Sequence, residues 1–152
     1  MRKLILLVIL FSLSATTFSY AQTKTSQKEK FQTTYNSSKA LVKSQAFQYI
    51  GNVVYNNKKR ERLDSNTNTI SINKSKASGQ VKSLSNLNKT FDLDGEIEDY
   101  MVSFNDDNQR ISIEFSVNQY NVFIDIKPNG NAFLTVSSGA NNTISWTGRI
   151  KN

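Results

Sequence analysis

Five consecutive segments between Ile97 and Ile150 alternate apolar and polar residues with a period of two, a pattern that only a half-buried β-strand sustains. The apolar sets are Tyr100, Val102 and Phe104; Ile111, Ile113, Phe115 and Val117; Tyr120, Val122, Ile124 and Ile126; Ala132, Leu134 and Val136; and Ile144, Trp146, Gly148 and Ile150. Their partners in the alternation are mostly polar, as in Arg110, Ser112, Glu114 and Ser116. A sheet with one wet face is antiparallel as a rule, and the short connections suit a meander.

Register follows from the turns, because residues opposed across an antiparallel pair share a face. The only proline of the chain, Pro128, stands directly before Asn129-Gly130. A two-residue Asn-Gly turn would set Ile126 against Phe133 and mix core with surface. A three-residue loop over Pro128, Asn129 and Gly130 instead pairs Ile126 with Ala132, Ile124 with Leu134 and Val122 with Val136. Such a loop is a type I turn followed by a left-handed residue, for which proline suits the first central position and glycine the last. The same counting places Val117 opposite Tyr120 across Asn118-Gln119, and Phe104 opposite Ile111. A loop over Gly139, Ala140 and Asn141 pairs Val136 with Ile144 and Leu134 with Trp146.

Upstream the signals are shorter. "FQYIGNVVYNN" reads as a strand with Phe47, Tyr49, Val53 and Tyr55 on one side and Gly51 as a bulge. "NKKRERLDSNTN" reads as a charged loop, and "TISIN" and "GQVKSL" as short strands. Around "NSSKALVKSQAF" a helix of about two turns is expected, capped by Ser37 or Ser38, which needs packing to be stable. The fold class expected is therefore mainly β. An antiparallel meander forms a sandwich or a curved, partly open barrel, with a short N-terminal helix.

The amino terminus, "MRKLILLVILFSLSATTFSYAQ", joins two basic residues to an apolar run from Leu4 to Leu13, with small residues at Ser19 and Ala21. The run is about half of the roughly 20 residues that span a bilayer, so a cleaved export signal over residues 1–21 is expected, with no transmembrane segment after cleavage. Residues 22–37 read as a polar tail and 38–152 as a single β-rich domain, which makes the protein periplasmic or secreted. The chain has no cysteine, so disulfides are excluded and packing alone holds the core.

"GEIEDYMVSF", "RISIEFSV", "YNVFIDIKPNGNAFLTVSS" and "ISWTGRI" resemble the domain of unknown function family numbered 4251, small exported proteins of Gram-negative bacteria. The resemblance runs from about Lys39 to Ile150. Its shared pattern is Gly-x-Ile-x-Asp-Tyr, a Pro-Asn-Gly turn, a Thr-Val-Ser-Ser strand end and a final Ile-Ser-aromatic-x-Gly. The chain departs from it in carrying the plain "VKSLSNLNKTF" where members have an aromatic-rich stretch, and Asn141-Asn142 where members often have an arginine. The resemblance implies the fold and export and brings no activity.

With neither histidine nor cysteine, the chain lacks the residues of Ser-His-Asp and Cys-His catalysis, thiol redox work and ordinary zinc or copper sites. The one concentrated constellation is "DLDGEIED", which carries Asp92, Asp94, Glu96, Glu98 and Asp99. Asp92, Asp94, Glu96 and Asp99 are candidate ligands for calcium, which wants hard oxygens, although their spacing does not complete an EF-hand loop. The alternative is a solvated strand entry facing cations of the first half, such as Lys58, Lys59, Arg60 and Arg62. Residues 22–89 hold 13 basic and 3 acidic residues and residues 90–152 hold 4 and 9, so the two halves attract each other. No Arg-rich, aromatic-interleaved stretch points to nucleic acid.

Phe123 and Phe133 interrupt the polar face of their strands. They mark either a second buried face, with the N-terminal strands folded over the meander, or an exposed aromatic platform for a ligand. The reading that results is an exported, non-catalytic envelope protein that binds a ligand or protein partner through its sheet or loops. Its rival is a calcium-dependent or carboxylate-dependent hydrolase centred on residues 92–99.

Overall fold

The computed structural model describes residues 28–139 and 143–152. The expected export signal, the first residues of the expected tail and the loop residues 140–142 lie outside them. Helix α1 occupies residues 28–44. Ten strands follow: β1 (Ala46–Tyr55), β2 (Arg60–Arg62), β3 (Thr69–Asn73), β4 (Lys76–Lys82), β5 (Thr90–Asp92), β6 (Gly95–Asn105), β7 (Arg110–Val117), β8 (Tyr120–Ile126), β9 (Asn131–Ser137) and β10 (Thr143–Lys151).

The meander from β6 to β10 has the register that its turns require. Ile126 faces Ala132, Ile124 faces Leu134 and Val122 faces Val136. Val117 meets Tyr120, Phe104 meets Ile111, and Leu134 meets Trp146. At the Pro128 loop the amide of Gly130 donates to Lys127 O at 2.9 Å, and Gly130 lies at φ +80°. That is the left-handed residue that closes a three-residue hairpin loop.

The sheet neither opens nor doubles into a sandwich. It runs β1-β3-β4-β6-β7-β8-β9-β10 and returns to β1, so eight antiparallel strands close into a barrel. β2 extends the β1 edge and β5 the β4 edge. Closure is made by β1 and β10, paired from Gln48↔Lys151 to Tyr55↔Ser145. The two backbones approach closely at Gly51↔Gly148, where a Cβ on Gly148 would lie 1.9 Å from Ile50 O. Closure leaves no open edge along the main path.

Apolar side chains fill the interior. Trp146, Tyr49, Phe91, Ile113, Ile124 and Leu134 are fully buried, while the outward positions are polar or half-exposed. This is the reverse of a barrel that sits in lipid, where the apolar band faces out. Among the described residues no helix is long and apolar enough to cross a membrane.

Helix α1 is longer than its sequence signal suggested, since residues 28–37, read as tail, are helical. The physical reason is tertiary. Tyr35, Ser38 and Val42 recur at helical spacing and are buried, an apolar stripe too sparse to read from sequence alone. The helix packs on the barrel end that carries the β6–β7 and β8–β9 turns. Tyr35 Oη donates to Asp106 Oδ1 at 2.5 Å, Gln109 Nε2 donates to Lys28 O and Gln32 Oε1, and Thr34 lies against Gly130.

A second departure is in β1. The bulge expected at Gly51 is present as a register shift between Gly51 and Val53. Its extra residue changes the side-chain face. Phe47, Tyr49 and Val54 point inward and are buried, and Val53 and Tyr55, expected with Phe47 and Tyr49, sit instead among the half-exposed outer positions.

Candidate functional site

The outer face of β9, β10 and β1 carries a groove of about 810 Å³, within the range of ligand sites. The ladder builds its floor. Phe133 pairs with Thr147, Thr147 with Val53, and Val53 with Arg62. One row along, Tyr55, paired with Arg60 of β2, adds a second ring to the floor. Both rows exist in this form only because the β1 bulge turns Val53 and Tyr55 outward.

The wall is the β1–β2 turn, and its shape comes from one asparagine. Asn56 Oδ1 accepts from the amides of Lys58 (2.9 Å) and Lys59 (2.8 Å), and Asn56 N donates to Lys59 O at 3.0 Å. Side-chain bonds of this kind let asparagine hold a tight turn. Lys58, Lys59 and Arg60 therefore line one side of the groove, and Arg149 stands on β10, the middle strand of its floor. All four are exposed, and among the described residues none takes part in a salt bridge. Among the described residues no acid lines the groove.

Phe133 is held from its far side. Lys127 Nζ lies 5.5 Å from its ring centroid and 2.6 Å from Asp125 Oδ2, which also accepts from Arg110 Nη2 at 2.7 Å. Burial pushes the Asp125 carboxyl up, but the hydrogen bonds and charges of Arg110 and Lys127 outweigh it and hold the group below the usual carboxylate range. The Asp125 hydrogen bond raises Arg110 in turn. The acid is thus neutralised by its own cations, and the groove stays basic.

Phe123 and Phe133 are both half-buried, and no N-terminal strand covers them. The second buried face expected there is absent because β1, β3 and β4 are consumed in closing the barrel. The two rings do not share a depression. Phe123 pairs with Glu114 and Thr135 and lines a smaller depression of about 460 Å³ with Met101, which is 60% exposed.

The acids of residues 92–99 are all exposed and strung along the β5–β6 segment. Asp94 Oδ1 accepts from Gly79 N at 2.6 Å, and Asp92 Oδ1 accepts from Asp94 N at 3.0 Å. Glu96 pairs with Lys76 at 3.4 Å, a cation of the first half outside the Lys58–Arg62 stretch. Asp99 lies at φ +54° beside the register shift in β6 and lines the depression with Phe123. Among the described residues no three acids gather as a metal-holding group.

The basic groove was not singled out from sequence. "NNKKR" reads as an ordinary charged loop, and Arg149 is 89 positions from Arg60. The one local signal was Gly51, whose bulge sends Tyr55 outward.

A family model described as a domain of unknown function, DUF4251, matches residues 25–150. A crystal structure of a DUF4251 family protein from Bacteroides eggerthii has a similar fold, with a TM-score of 0.66 and 23% sequence identity over 76% of this chain and 85% of that one. No curated protein matches the chain.

Proposed function

The chain belongs to the DUF4251 family, whose description assigns no activity, and on that premise we propose an exported, non-catalytic protein that binds its ligand in the groove over Phe133. The observation that carries this reading is the groove itself, where half-buried rings lie beneath four exposed cations with no acid to pair them. What sets these four apart is that they line one groove together with the rings of Phe133 and Tyr55. An unneutralised cluster raises the local concentration of anions and favours their capture. Export rests on the amino-terminal segment, with cleavage after Ala21.

The test is native mass spectrometry of the exported protein purified from its own envelope, beside a Lys58→Gln/Lys59→Gln/Arg149→Gln variant. A bound species present on the first and lost from the second is the expected result. A species retained equally by both would place binding elsewhere. N-terminal sequencing of the same preparation should begin at Gln22, and an intact Met1 would remove the export half of the proposal.

A further inference from the structure

We infer that the ligand of this groove is an acidic oligosaccharide, bearing carboxylate or sulfate groups; this rests on the groove being the binding site. Three observations narrow the class.

The first is the backbone. Within the groove β1, β9 and β10 each have neighbours on both sides: β1 between β10 and β2/β3, β10 between β1 and β9, and β9 between β10 and β8. A peptide bound by strand addition needs a free row of N–H and C=O groups. The three floor strands have none, and β2, which lends Arg60 and pairs with β1 alone, is only three residues long, so recognition falls mainly to side chains.

The second is the side-chain inventory. Beside the rings of Phe133 and Tyr55 stand Asn52, Asn57 and Asn131, whose side-chain amides make no hydrogen bond among the described residues, and the hydroxyl of Thr147. Amides both donate and accept, which matches sugar hydroxyls, and each amide offers both functions in one plane. The rings offer a flat apolar surface to the C–H face of a pyranose. The apolar side chains of the lining are Val53, Tyr55 and Phe133, set among amides and cations.

The third is charge. Lys58, Lys59 and Arg60 stand at the β1–β2 side of the floor and Arg149 on β10, its middle strand, one ladder row beyond Phe133 and Thr147, so a ligand over the rings meets cations at two points. The guanidinium of Arg149 has the fork geometry that grips a carboxylate or sulfate by two parallel bonds. From β9 to β1 the floor is roughly 10 Å across, two strand spacings, which exceeds one sugar ring.

Calorimetry on the purified protein tests this with matched probes: an oligogalacturonate, its methyl ester (the same sugars without charge), a chondroitin sulfate oligosaccharide, oligoglutamate and oligothymidylate. At least one acidic sugar should bind, and oligoglutamate and oligothymidylate should bind about ten-fold more weakly or not at all. If the galacturonate is the one that binds, its methyl ester should lose about as much. Phe133→Leu, which keeps an apolar side chain in the sheet, and Arg149→Gln should each weaken sugar binding about ten-fold, while Glu114→Gln on the neighbouring depression leaves it unchanged. Equal binding of oligoglutamate or oligothymidylate, or no loss in Phe133→Leu, would reduce the site to unspecific charge and overturn the inference. If neither acidic sugar binds while native mass spectrometry still finds a species lost from the triple variant, the ligand class is wrong and the groove stands. If the triple variant changes neither measurement, both fall.

Discussion

Trp146 donates its indole N–H to the carbonyl of Lys82 at 2.7 Å, joining β10 to the last residue of β4 although the two strands are not neighbours in the sheet. The bond crosses the barrel interior. Phe91 meets the indole edge-to-face at 5.5 Å and Tyr120 in the same manner at 5.5 Å, so the short strand β5 is fastened to the core by its one buried ring. Trp146→Ala should cost about 3–5 kcal/mol in urea melts, a large share of the stability of a domain this size. Trp146→Phe refills part of the volume and leaves Lys82 O without its partner, so a smaller loss of about 1–3 kcal/mol is expected. Equal losses for the two variants would show that the ring volume contributes nothing and that the lost hydrogen bond accounts for the whole effect.

The Pro128 loop separates two kinds of substitution. Gly130 lies at φ +80°, and a Cβ there would also meet Thr34 Cγ2 at 3.0 Å. Gly130→Val should therefore lose far more stability than Pro128→Ala, which mainly frees the unfolded chain and costs about 0.4–1 kcal/mol. A pair of urea melts decides it, and small equal losses would contradict the left-handed turn.

Barrel closure has its own test at Gly148. Its absent Cβ leaves room for Ile50 O, a backbone atom with no easy way to give. Gly148→Ala should cost about 1–3 kcal/mol or more, with early loss of amide-exchange protection along β1 and β10. Protection retained there at full stability would mean that the paired backbones admit a methyl group without cost, against the close approach at Ile50 O.

Acid should weaken the fold through Asp125 and Asp106. Asp125 is held low as described above, and hydrogen bonds from Lys39 and Tyr35 lower Asp106. A carboxyl with a depressed folded pKa stabilises fully above its unfolded value of about 3.9, and the contribution is lost as pH falls through the folded value. Stability should thus decline below about pH 4, and less steeply in Asp125→Asn. Tyr35 acts at the other end. Burial, then its bond to Asp106, pushes it up to about 12. Its contribution is present below about pH 10 and lost as pH rises toward that value, so in alkali α1 should release before the barrel melts. Amide exchange against pH reads both limbs.

Asp94 is expected to act as a staple. Its carboxylate takes the amide of Gly79, which sits at φ +118° with its backbone against Thr69 O. Asp94→Ala should cost about 1.5–3 kcal/mol, and Asp94→Asn, which keeps an acceptor oxygen, less. Calcium should leave the melting temperature unchanged. A concentration-dependent rise would assign the acidic segment to a metal, because a ligand stabilises the state it binds.

Much of the meander was determined by sequence alone, because turn chemistry and period-two alternation are both local. Pro128-Asn129-Gly130 admits one register in which Ile124 meets Leu134, and a slip by one residue would bury the polar face. The acidic segment was equally visible, as was the bulge at Gly51. Tertiary structure decided the rest. Alternation says which residues share a face and not which distant strands meet, so the pairing of β1 with β10 that closes the barrel had no local signature. Helix α1 extends back to residue 28 because the barrel end buries Tyr35, and polar residues between its contacts hid that stripe. The groove depends on both effects at once. One extra residue in β1 turns Tyr55 outward, and closure then brings Arg149 of β10 into the same floor as Tyr55 and Arg60. Side chains separated by nearly ninety residues became one site through strand pairing, a long-range event that no short window of sequence encodes.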